Sequence, residues 1–389
     1  MTRRAQVLVV GGGIAGAALA ARLAHSRRDV LLVERRAGPH DKVCGEFISG
    51  EAALLLNDFN IDLEALGAVR IRAVRLCARD DAVAVPLPFA AFTLSRRALD
   101  EALLARASAC GVEVWRGATV RTLHRDAEAW VAPLDGGGEN IVAGDAFLAT
   151  GKHDLRGWRR RPGRQNDLLA FKQHWRLSPV QARALGGCIE LFLFPGGYAG
   201  LAPIEDGLVN LCLVVRQRQF KKFDCCWDVL LDALRAAVPA LRERLTAATP
   251  CGNRPLAIAS IPYGFVQAHS DSPCPWRLGD QAAVIPSFAG EGISIALHSA
   301  LLAAETFLTD GDCARYQARL AADLAVRIRR ATLISRLLVH PAGQTLAMTA
   351  TQLMPGLIGA VARHTRIPQR YRARSAFGAD RRFSLPVRP

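Results

Sequence analysis

The feature that most constrains the fold is the first 34 residues, where two apolar runs flank a glycine-rich break. Residues 6–10 (QVLVV) are apolar and rich in β-branched side chains, which indicates a buried strand. Three glycines at 11–13 end that run, and the alanine-rich residues 14–25 read as a helix. Residues 30–33 form a second apolar run that ends at Glu34. The order strand, glycine turn, helix, strand predicts a βαβ unit.

Within this unit the glycines have the spacing Gly11-x-Gly13-x-x-Gly16. The first glycine permits a tight turn, the second lets the backbone approach a diphosphate, and the third lets the helix pack closely on the sheet. The free N–H groups at the helix N-terminus attract phosphate. The motif therefore predicts a dinucleotide site whose diphosphate contacts Gly11, Gly13, Ile14, Ala15 and Gly16.

Glu34 ends the second strand, where its carboxylate can accept hydrogen bonds from ribose hydroxyls. A carboxylate at this position repels a 2′-phosphate, which disfavours NADP, although Arg35 and Arg36 weaken that argument. We predict Glu34 and Arg35 as cofactor contacts. The pattern alone does not separate FAD from NAD.

Composition sets the wider limits. A chain of 389 residues, half of them apolar, predicts two or three domains with packed cores. The net charge of +15 favours anionic ligands or surfaces, but aromatic residues are only 6% and no basic–aromatic alternation predicts nucleic-acid binding. Ten scattered cysteines without a C-x-x-C pair predict neither a metal site nor a disulfide framework. We read no secretory signal, so the cytoplasm is the expected compartment.

A second motif lies far along the chain, as Gly279-Asp280, then Pro286, then Gly290-Glu291-Gly292-Ile293 before a helix. With the first 35 residues, this segment resembles the FAD-dependent monooxygenase superfamily, which includes aromatic hydroxylases, flavin halogenases and geranylgeranyl reductases. The resemblance implies that Asp280, beside Gly279, binds the ribityl chain. It implies that the residues beside the isoalloxazine are Pro286, Gly290, Gly292 and Ile293.

Two further segments match the same superfamily. Residues 94–100 (LSRRALD) resemble a segment in which an arginine before a helix contacts the cofactor; Arg96 matches it, and Arg97 is the competing register. Residues 42–46 (KVCGE) resemble the Lys-x-Cys-Gly segment of geranylgeranyl reductases, which lies over the flavin. Lys42, Cys44 and Gly45 are therefore predicted contacts, although Cys44 can equally be a small buried apolar residue.

The resemblance implies an α/β fold: a Rossmann-like FAD-binding domain with a parallel sheet and a three-stranded meander, an inserted antiparallel-sheet substrate domain and a helical C-terminus. We expect residues 1–165 and 269–340 to form the two parts of the FAD-binding domain, 166–268 the substrate domain, and 341–389 a helical and basic C-terminal segment. The apolar strands of the middle segment predict an apolar substrate pocket.

The chain departs from the superfamily pattern in two places. Aromatic hydroxylases usually have Gly-Ala-Asp-Gly after the meander, and its aspartate serves both FAD and NAD(P)H; here Thr150 takes that place and Asp154 is displaced. NADH or NADPH is therefore one candidate for a transient electron donor, and a separate reductase is the other. The paired-tryptophan signature of halogenases is absent from the sequence, which disfavours halogenation.

The sequence favours an FAD-dependent monooxygenase that hydroxylates a hydrophobic, aromatic or polyketide-like small molecule through a flavin C4a-hydroperoxide. The first alternative is a reductase or dehydrogenase of carbon–carbon double bonds resembling geranylgeranyl reductases. The second is a flavin-bearing partner or protein-modifying factor. Candidate catalytic residues are Cys44, Glu46, Tyr198 and Glu291, whereas His174 is read as a satisfied core residue.

The end of the chain is basic. Eight arginines follow residue 362, against one acid, Asp380. This pattern favours a solvated tail over contact with a membrane surface or an acidic partner. Residues 341–362 carry no formal charge, but several polar residues and Pro355-Gly356 interrupt them, so they do not predict a membrane-spanning helix.

Overall fold

The computed structural model describes residues 2–136, 140–268, 273–354 and 356–367, and its first elements are those that the glycine motif predicts. Strand β1 (Thr2–Val10) leads into helix α1 (Ile14–His25), and strand β2 (Val30–Glu34) returns parallel to β1, with Val7 opposite Val30. The inner half of β1 and all of β2 are buried, which explains their unbroken apolar sequence.

The first sheet has the strand order β6-β2-β1-β9-β8-β7, and a short strand β15 pairs with β9. The added strands are β6 (Glu113–Arg116), β7 (His124–Asp126), β8 (Ala129–Pro133), β9 (Asn140–Leu148) and β15 (Trp276–Arg277). Strands β6, β2, β1 and β9 run parallel, whereas β7, β8 and β9 form an antiparallel meander. The predicted parallel sheet with a three-stranded meander is confirmed.

The second sheet has eight strands in the order β14-β10-β13-β12-β11-β4-β5-β3. They are β3 (Phe47–Ile48), β4 (Val69–Ala78), β5 (Asp81–Thr93), β10 (Leu168–Arg176), β11 (Cys188–Phe194), β12 (Gly197–Pro203), β13 (Val209–Arg216) and β14 (Thr249–Ala259). Strands β4 and β11 are parallel, and the other pairs are antiparallel. Three of these strands precede residue 166, so the chain enters this sheet twice. The domain boundaries stay predictions.

Helices cover both sheets. Those before residue 250 are α2 (Gly50–Asp58), α3 (Arg96–Ala109), α4 (Pro179–Leu185), α5 (Gln217–Phe220), α6 (Trp227–Ala237) and α7 (Pro239–Arg244). The C-terminal helices are α8 (Gly292–Thr309), α9 (Cys313–Leu338), α10 (Pro341–Leu353) and α11 (Gly356–Thr365). Serine is a favoured N-cap residue, so the sequence predicts that Ser95 caps α3. Ser95 Oγ indeed accepts a hydrogen bond from Ala98 N at 3.1 Å. The helical C-terminus is confirmed as far as residue 367, and the rest of the basic tail lies outside the described residues.

Helix α8 is an interior helix that packs against α1. Its length and composition would allow it to cross a membrane, but most of its residues are buried inside the protein. Helices α10 and α11 meet that criterion only as a pair, and they are bent by 116° at their break. Burial against protein identifies α8 as a core helix, and its packing fixes the position of its N-terminus at Gly292. The cytoplasmic location stays a prediction.

The two faces of the second sheet have different coverings. One face packs against α6 and α7, around Trp175, Leu230 and Leu241. The other face forms a second apolar cluster, which includes Tyr198, Tyr263 and Val284, together with Met348 of α10. This second cluster, which we call the apolar chamber wall, lies between the sheet and the segment that carries the late glycine motif.

Candidate functional site

The two motifs that lie furthest apart in the sequence meet in space. Gly279 has a left-handed φ of 53°, and a Cβ added there would lie 3.3 Å from Ala15 Cβ and 3.7 Å from Ala296 Cβ. The amide of Gly279 donates a hydrogen bond of 2.8 Å to Ser299 Oγ of α8. The Gly-Asp segment is therefore held between the first and eighth helices, and Asp280 follows at the N-terminal end of α1.

The glycine turn is too tight for side chains. A Cβ on Gly11 would lie 2.5 Å from Ala149 O, and one on Gly16 would overlap the carbonyl oxygen of Gly11. Gly11 also has a φ of 110°, which L side chains rarely adopt. The N-terminus of α1 begins in this turn, and Ile14 and Ala15 are its first two residues. The turn thus presents backbone N–H groups, as a diphosphate site requires.

Two cations converge on this turn. A Cβ on Gly13 would lie 3.3 Å from Lys42 Nζ and 3.6 Å from an Arg96 guanidinium nitrogen. Asp100 holds both in place, at 2.7 Å from Lys42 Nζ and 2.8 Å from Arg96. Burial raises the pKa of Asp100, but Arg96 and Lys42 outweigh it and the pKa is lowered overall. Arg97 is exposed, so the geometry favours Arg96 as the arginine that contacts the cofactor.

Glu34 is buried at the end of β2, and its carboxylate is oriented by the backbone. Gly12 N donates to Glu34 Oε2 at 2.8 Å, and Arg36 N donates to Oε1 at 2.9 Å. Each oxygen keeps a lone pair for a ribose hydroxyl. Arg35 follows with an exposed side chain.

The loop of residues 42–46 is fixed from both sheets. Lys152, which follows β9, donates to Val43 O at 2.6 Å, and Asn210 of β13 donates to Cys44 O at 2.9 Å. Leu94 N donates to Glu46 O at 3.1 Å. Glu46 has a φ of 60°, a conformation uncommon for a residue with a side chain and frequent at functional sites. The loop therefore lies between the nucleotide-binding sheet and the apolar chamber wall.

Glu46 is fully buried and has three hydrogen-bond donors. Its Oε1 accepts from Lys172 Nζ at 2.5 Å and from Arg96 N at 2.8 Å, and its Oε2 lies 2.8 Å from His174 Nε2. Asp41 adds a second carboxylate, 3.4 Å from Lys172 Nζ. Asp41, Glu46 and His174 are close enough to share a metal ion, but the Lys172 ammonium already supplies the positive charge. His174 is thus a partner of Glu46, beyond the core role that its sequence suggested.

The segment expected beside the flavin ring follows the apolar chamber wall. Gly290 has a φ of 69°, and a Cβ there would lie 2.6 Å from the Phe47 ring. The backbones of Gly45 and Gly292 border open space, where an added Cβ would contact nothing within 4 Å. Pro286 opens the turn that precedes Gly290, and Ile293 is buried in the first turn of α8. Gly45 and Gly292 therefore each leave room beside their backbones, which is compatible with the predicted flavin contacts.

Glu291 belongs to this segment, and Tyr198 contacts it from the chamber wall. Glu291 is 2% exposed, and burial raises its pKa to about 7. Among the described residues, its Oε2 has no hydrogen-bond partner. The Tyr198 hydroxyl lies 3.1 Å from Ser287 Oγ, and burial raises the pKa of Tyr198 to about 12. Tyr198 therefore remains a neutral hydroxyl in the chamber wall.

Thr150, which stands where aromatic hydroxylases have an aspartate, donates to His153 O at 2.6 Å. Asp154 pairs with Arg160 at 2.6 Å, and Arg160 also donates to Asp280 O at 3.0 Å. The displaced aspartate therefore lies in the same network as Asp280 without taking the position of Thr150. Asp280 itself is part-buried at the α1 end of the site.

Sequence reasoning missed three residues that fix the loop of residues 42–46: Lys152, Lys172 and Asn210. The signal for Lys172 was present, because a lysine inside the apolar strand LLAFKQHWR is rarely buried without a partner. Lys152 and Asn210 carried no such signal. The catalytic and cofactor assignments remain predictions, but the structure brings all their segments to one place.

Comparisons with known proteins agree with this geometry. Residues 9–45 match the family model of an NAD(P)-binding Rossmann-like domain. The chain is 26% identical over 375 residues to a menaquinone reductase of Mycobacterium tuberculosis, which covers 90% of this chain and 89% of the relative. It is 27% identical over 324 residues to a tryptophan 2-halogenase of Chondromyces crocatus, which covers 77% of this chain and 60% of the relative.

Solved structures share the fold. A crystal structure of halogenase PltM has a TM-score of 0.76 at 17% identity and covers 92% of this chain and 81% of that chain. The flavin-dependent brominase Bmp2 has a TM-score of 0.74 at 18% identity and covers 93% of both chains. A PltM variant was solved in complex with FAD; its TM-score is 0.71 at 18% identity, and the match covers 86% of this chain and 75% of that chain.

FAD fits the residues present. The glycine turn leaves no space for side chains, Lys42 and Arg96 place positive charge at the diphosphate position, and Gly45 and Gly292 border space on the ring side. Two widely separated segments form this one site, which is the arrangement that the sequence resemblance implied. The motifs, the fold and the similar proteins all agree with the resemblance to FAD-dependent oxidoreductases.

Proposed function

We propose that this oxidoreductase reduces a carbon–carbon double bond in a hydrophobic, isoprenoid-type or quinone-type substrate. The observation that carries the proposal is the position of Cys44, on a loop fixed between the nucleotide-binding sheet and the apolar chamber wall. The similarity to a menaquinone reductase over 90% of the chain supports it. The sequence alone favours hydroxylation and gives reduction as the first alternative.

The protein contributes binding, orientation and a proton. The glycine turn, Lys42 and Arg96 would hold FAD, which in its reduced form would supply the hydride for one carbon of the double bond. The other carbon needs a proton, and we assign it to the Cys44 thiol: the S–H bond breaks as a C–H bond forms. Burial lowers the pKa of Arg96, but Asp100 and, after it, the nearby Cys44 sulfur outweigh that effect and raise the pKa overall. The Arg96 guanidinium stabilises the thiolate until solvent returns the proton.

The chamber wall selects an apolar substrate. Its side chains are aliphatic and aromatic, and Tyr198 and Ser287 place hydroxyls at the end nearest the late glycine segment. A pocket of this kind binds a hydrocarbon body and orients one polar group.

The test is anaerobic turnover of a prenylated quinone by the photoreduced, FAD-loaded protein, followed by mass spectrometry. We expect a product heavier by two hydrogens. Cys44→Ser should lower the rate about 100-fold, since general-acid catalysis contributes about that much. Cys212→Ser is the matched control: this thiol lies near Cys44, but burial raises its pKa to about 12, and its replacement should change the rate less than twofold.

Oxygen transfer is the second candidate, favoured by the resemblance of residues 11–16 and 279–293 to the FAD-dependent monooxygenase superfamily. It requires O2 and gives a product containing one ¹⁸O atom when ¹⁸O2 is supplied. No anaerobic product, together with an ¹⁸O-labelled aerobic product, would reject reduction in favour of hydroxylation.

A further inference from the structure

The outer surface of the C-terminal helices has an unusual composition. Of the ten large apolar side chains that the described residues leave exposed, six lie between residues 326 and 354. These six are Val326, Leu333, Leu337, Leu346, Leu353 and Met354. Exposed apolar residues scattered singly need no explanation, but this concentration in two adjacent helices does.

The apolar residues follow the helical repeat. Val326, Leu333 and Leu337 are spaced by seven and four positions on α9, which places them on one side of that helix. Leu346 and Leu353 are spaced by seven on α10 and are 63% and 77% exposed. Gln344 Nε2 donates to Leu338 O at 2.7 Å, which ties the start of α10 to the end of α9. We call these exposed apolar residues of the two adjoining helices, namely Val326, Leu333, Leu337, Leu346, Leu353 and Met354, the C-terminal apolar face.

The charged residues of this part of the chain have one sign. Residues 324–367 contain six arginines and no Asp or Glu. Arg329, Arg330 and Arg336 are exposed on α9 beside the apolar positions. Leucines flanked by arginines, with no acid, are typical of a helix that lies in the interface of an anionic bilayer. A surface that docks a protein with an ordinary mix of surface charges would not need to lack Asp and Glu altogether.

The inner side of the same helices contributes to the chamber wall. Met348 of α10 is 4% exposed and packs in the cluster that contains Tyr198 and Val284. One helix thus separates the exposed leucines from the predicted substrate pocket. This link to the pocket rests on the proposed function; the charge and exposure of the face do not.

We propose that the C-terminal apolar face docks the protein on an anionic lipid bilayer. The leucines enter the boundary between headgroups and acyl chains, and Arg329, Arg330 and Arg336 contact lipid phosphates. The sequence analysis considers a membrane contact only for the basic tail after residue 362, whereas this proposal places the contact on helices α9 and α10.

The test is cosedimentation of the FAD-loaded full chain with vesicles of phosphatidylcholine alone or with 30% phosphatidylglycerol. We expect binding to the anionic vesicles only, and weakening by 0.5 M salt. The triple variant R329Q/R330Q/R336Q should lower the partition coefficient more than tenfold, since each arginine contributes about fivefold. L346Q/L353Q should lower it about tenfold. Controls on other surfaces are L54Q and R218Q/R242Q, which should bind like the parent protein.

Three results would overturn the proposal. The first is no binding to anionic vesicles. The second is equal loss in the control variants, which would show diffuse attraction by net charge. The third is binding that persists in the face variants and disappears when residues 368–389 are removed. Self-association that L346Q/L353Q abolishes, without vesicle binding, would instead identify a second copy of the chain as the occupant. Because vesicle binding needs no turnover, its outcome is separate from that of the reductase test.

Discussion

Lys172 Nζ lies 2.5 Å from Glu46 Oε1, and both side chains are at most 2% exposed. The pair joins β10 of the second sheet to the loop that the sequence assigns to the flavin. A buried charge without its partner is costly, so this contact fixes the loop and also makes it dependent on a distant strand.

Removal of one partner should therefore destabilise the protein strongly. We expect Lys172→Met to lower the free energy of unfolding by about 3–5 kcal/mol, because Glu46 is left buried without its cation. The double variant K172M/E46Q should recover part of that loss. Urea unfolding of the FAD-loaded protein measures both. The control is Arg70→Met in the exposed Arg70–Glu64 pair, which should cost about 0.5 kcal/mol or less; equal losses at the two pairs would contradict the role given to Lys172.

Two neighbouring arginines at the start of α3, Arg96 and Arg97, are the alternative contacts for the cofactor. Arg96 points at Gly13 and pairs with Asp100, whereas Arg97 is exposed. We expect Arg96→Met to weaken FAD binding at least tenfold, because a charge-assisted contact to the diphosphate is lost. Arg97→Met should leave the affinity within twofold. Flavin fluorescence titration of the apoprotein measures both constants, and equal effects would contradict the assignment.

The glycine turn should tolerate no side chain. Gly16→Ala places a Cβ against the carbonyl oxygen of Gly11, so the turn must open and the diphosphate site is lost. We expect the purified variant to contain less than about a tenth of the FAD of the parent protein, since the turn supplies the backbone donors. Gly356→Ala, where an added Cβ meets nothing within 4 Å, is the matched control. Retention of bound flavin by the Gly16 variant would reject this cofactor position.

Glu291 should make stability depend on pH. Burial raises its pKa from an ordinary 4.5 to about 7, so the folded protein keeps the proton after the unfolded chain has released it. Below pH 4.5 both states keep the proton, and Glu291 does not destabilise the protein. As the pH rises from 4.5 to 7, the free energy of unfolding falls by about 3 kcal/mol in total.

Glu291→Gln should remove that fall. Relative to the parent protein, the free energy of unfolding of the variant should therefore increase between pH 4.5 and pH 8. Urea unfolding at both pH values measures the difference. Glu64→Gln, at a 73% exposed side chain, is the control and should not change the pH dependence. A parallel pH profile for the parent and Glu291→Gln would show that the carboxyl is already ionised near neutrality.

The elements that the sequence predicted are those with local signals. The glycine spacing, Ser95 as an N-cap and the apolar run before Gly11 each act within a few residues, and the structure contains all three features. The position of Arg96 needed only the start of α3. These predictions succeed because turn and capping chemistry does not depend on the rest of the chain.

The environment of Glu46 could not be predicted in the same way. Lys172 is 126 positions away, and its contact depends on how β10 aligns with β13 and with the loop of residues 42–46. The pattern around Lys172 shows a strand with one charged residue inside, but not which acid it meets. Sheet register over long separations decides that pairing, and a single sequence carries little information on it.

The contact between Ala15 and Gly279 has a consequence for biosynthesis. The surfaces that hold the two ends of the cofactor come from widely separated parts of the sequence, so a nascent chain that has folded only its first βαβ unit can bind the nucleotide end alone. Stable FAD binding is therefore expected only after α8 has emerged from the ribosome. Polypeptides truncated before residue 279 should therefore emerge as colourless, flavin-free products.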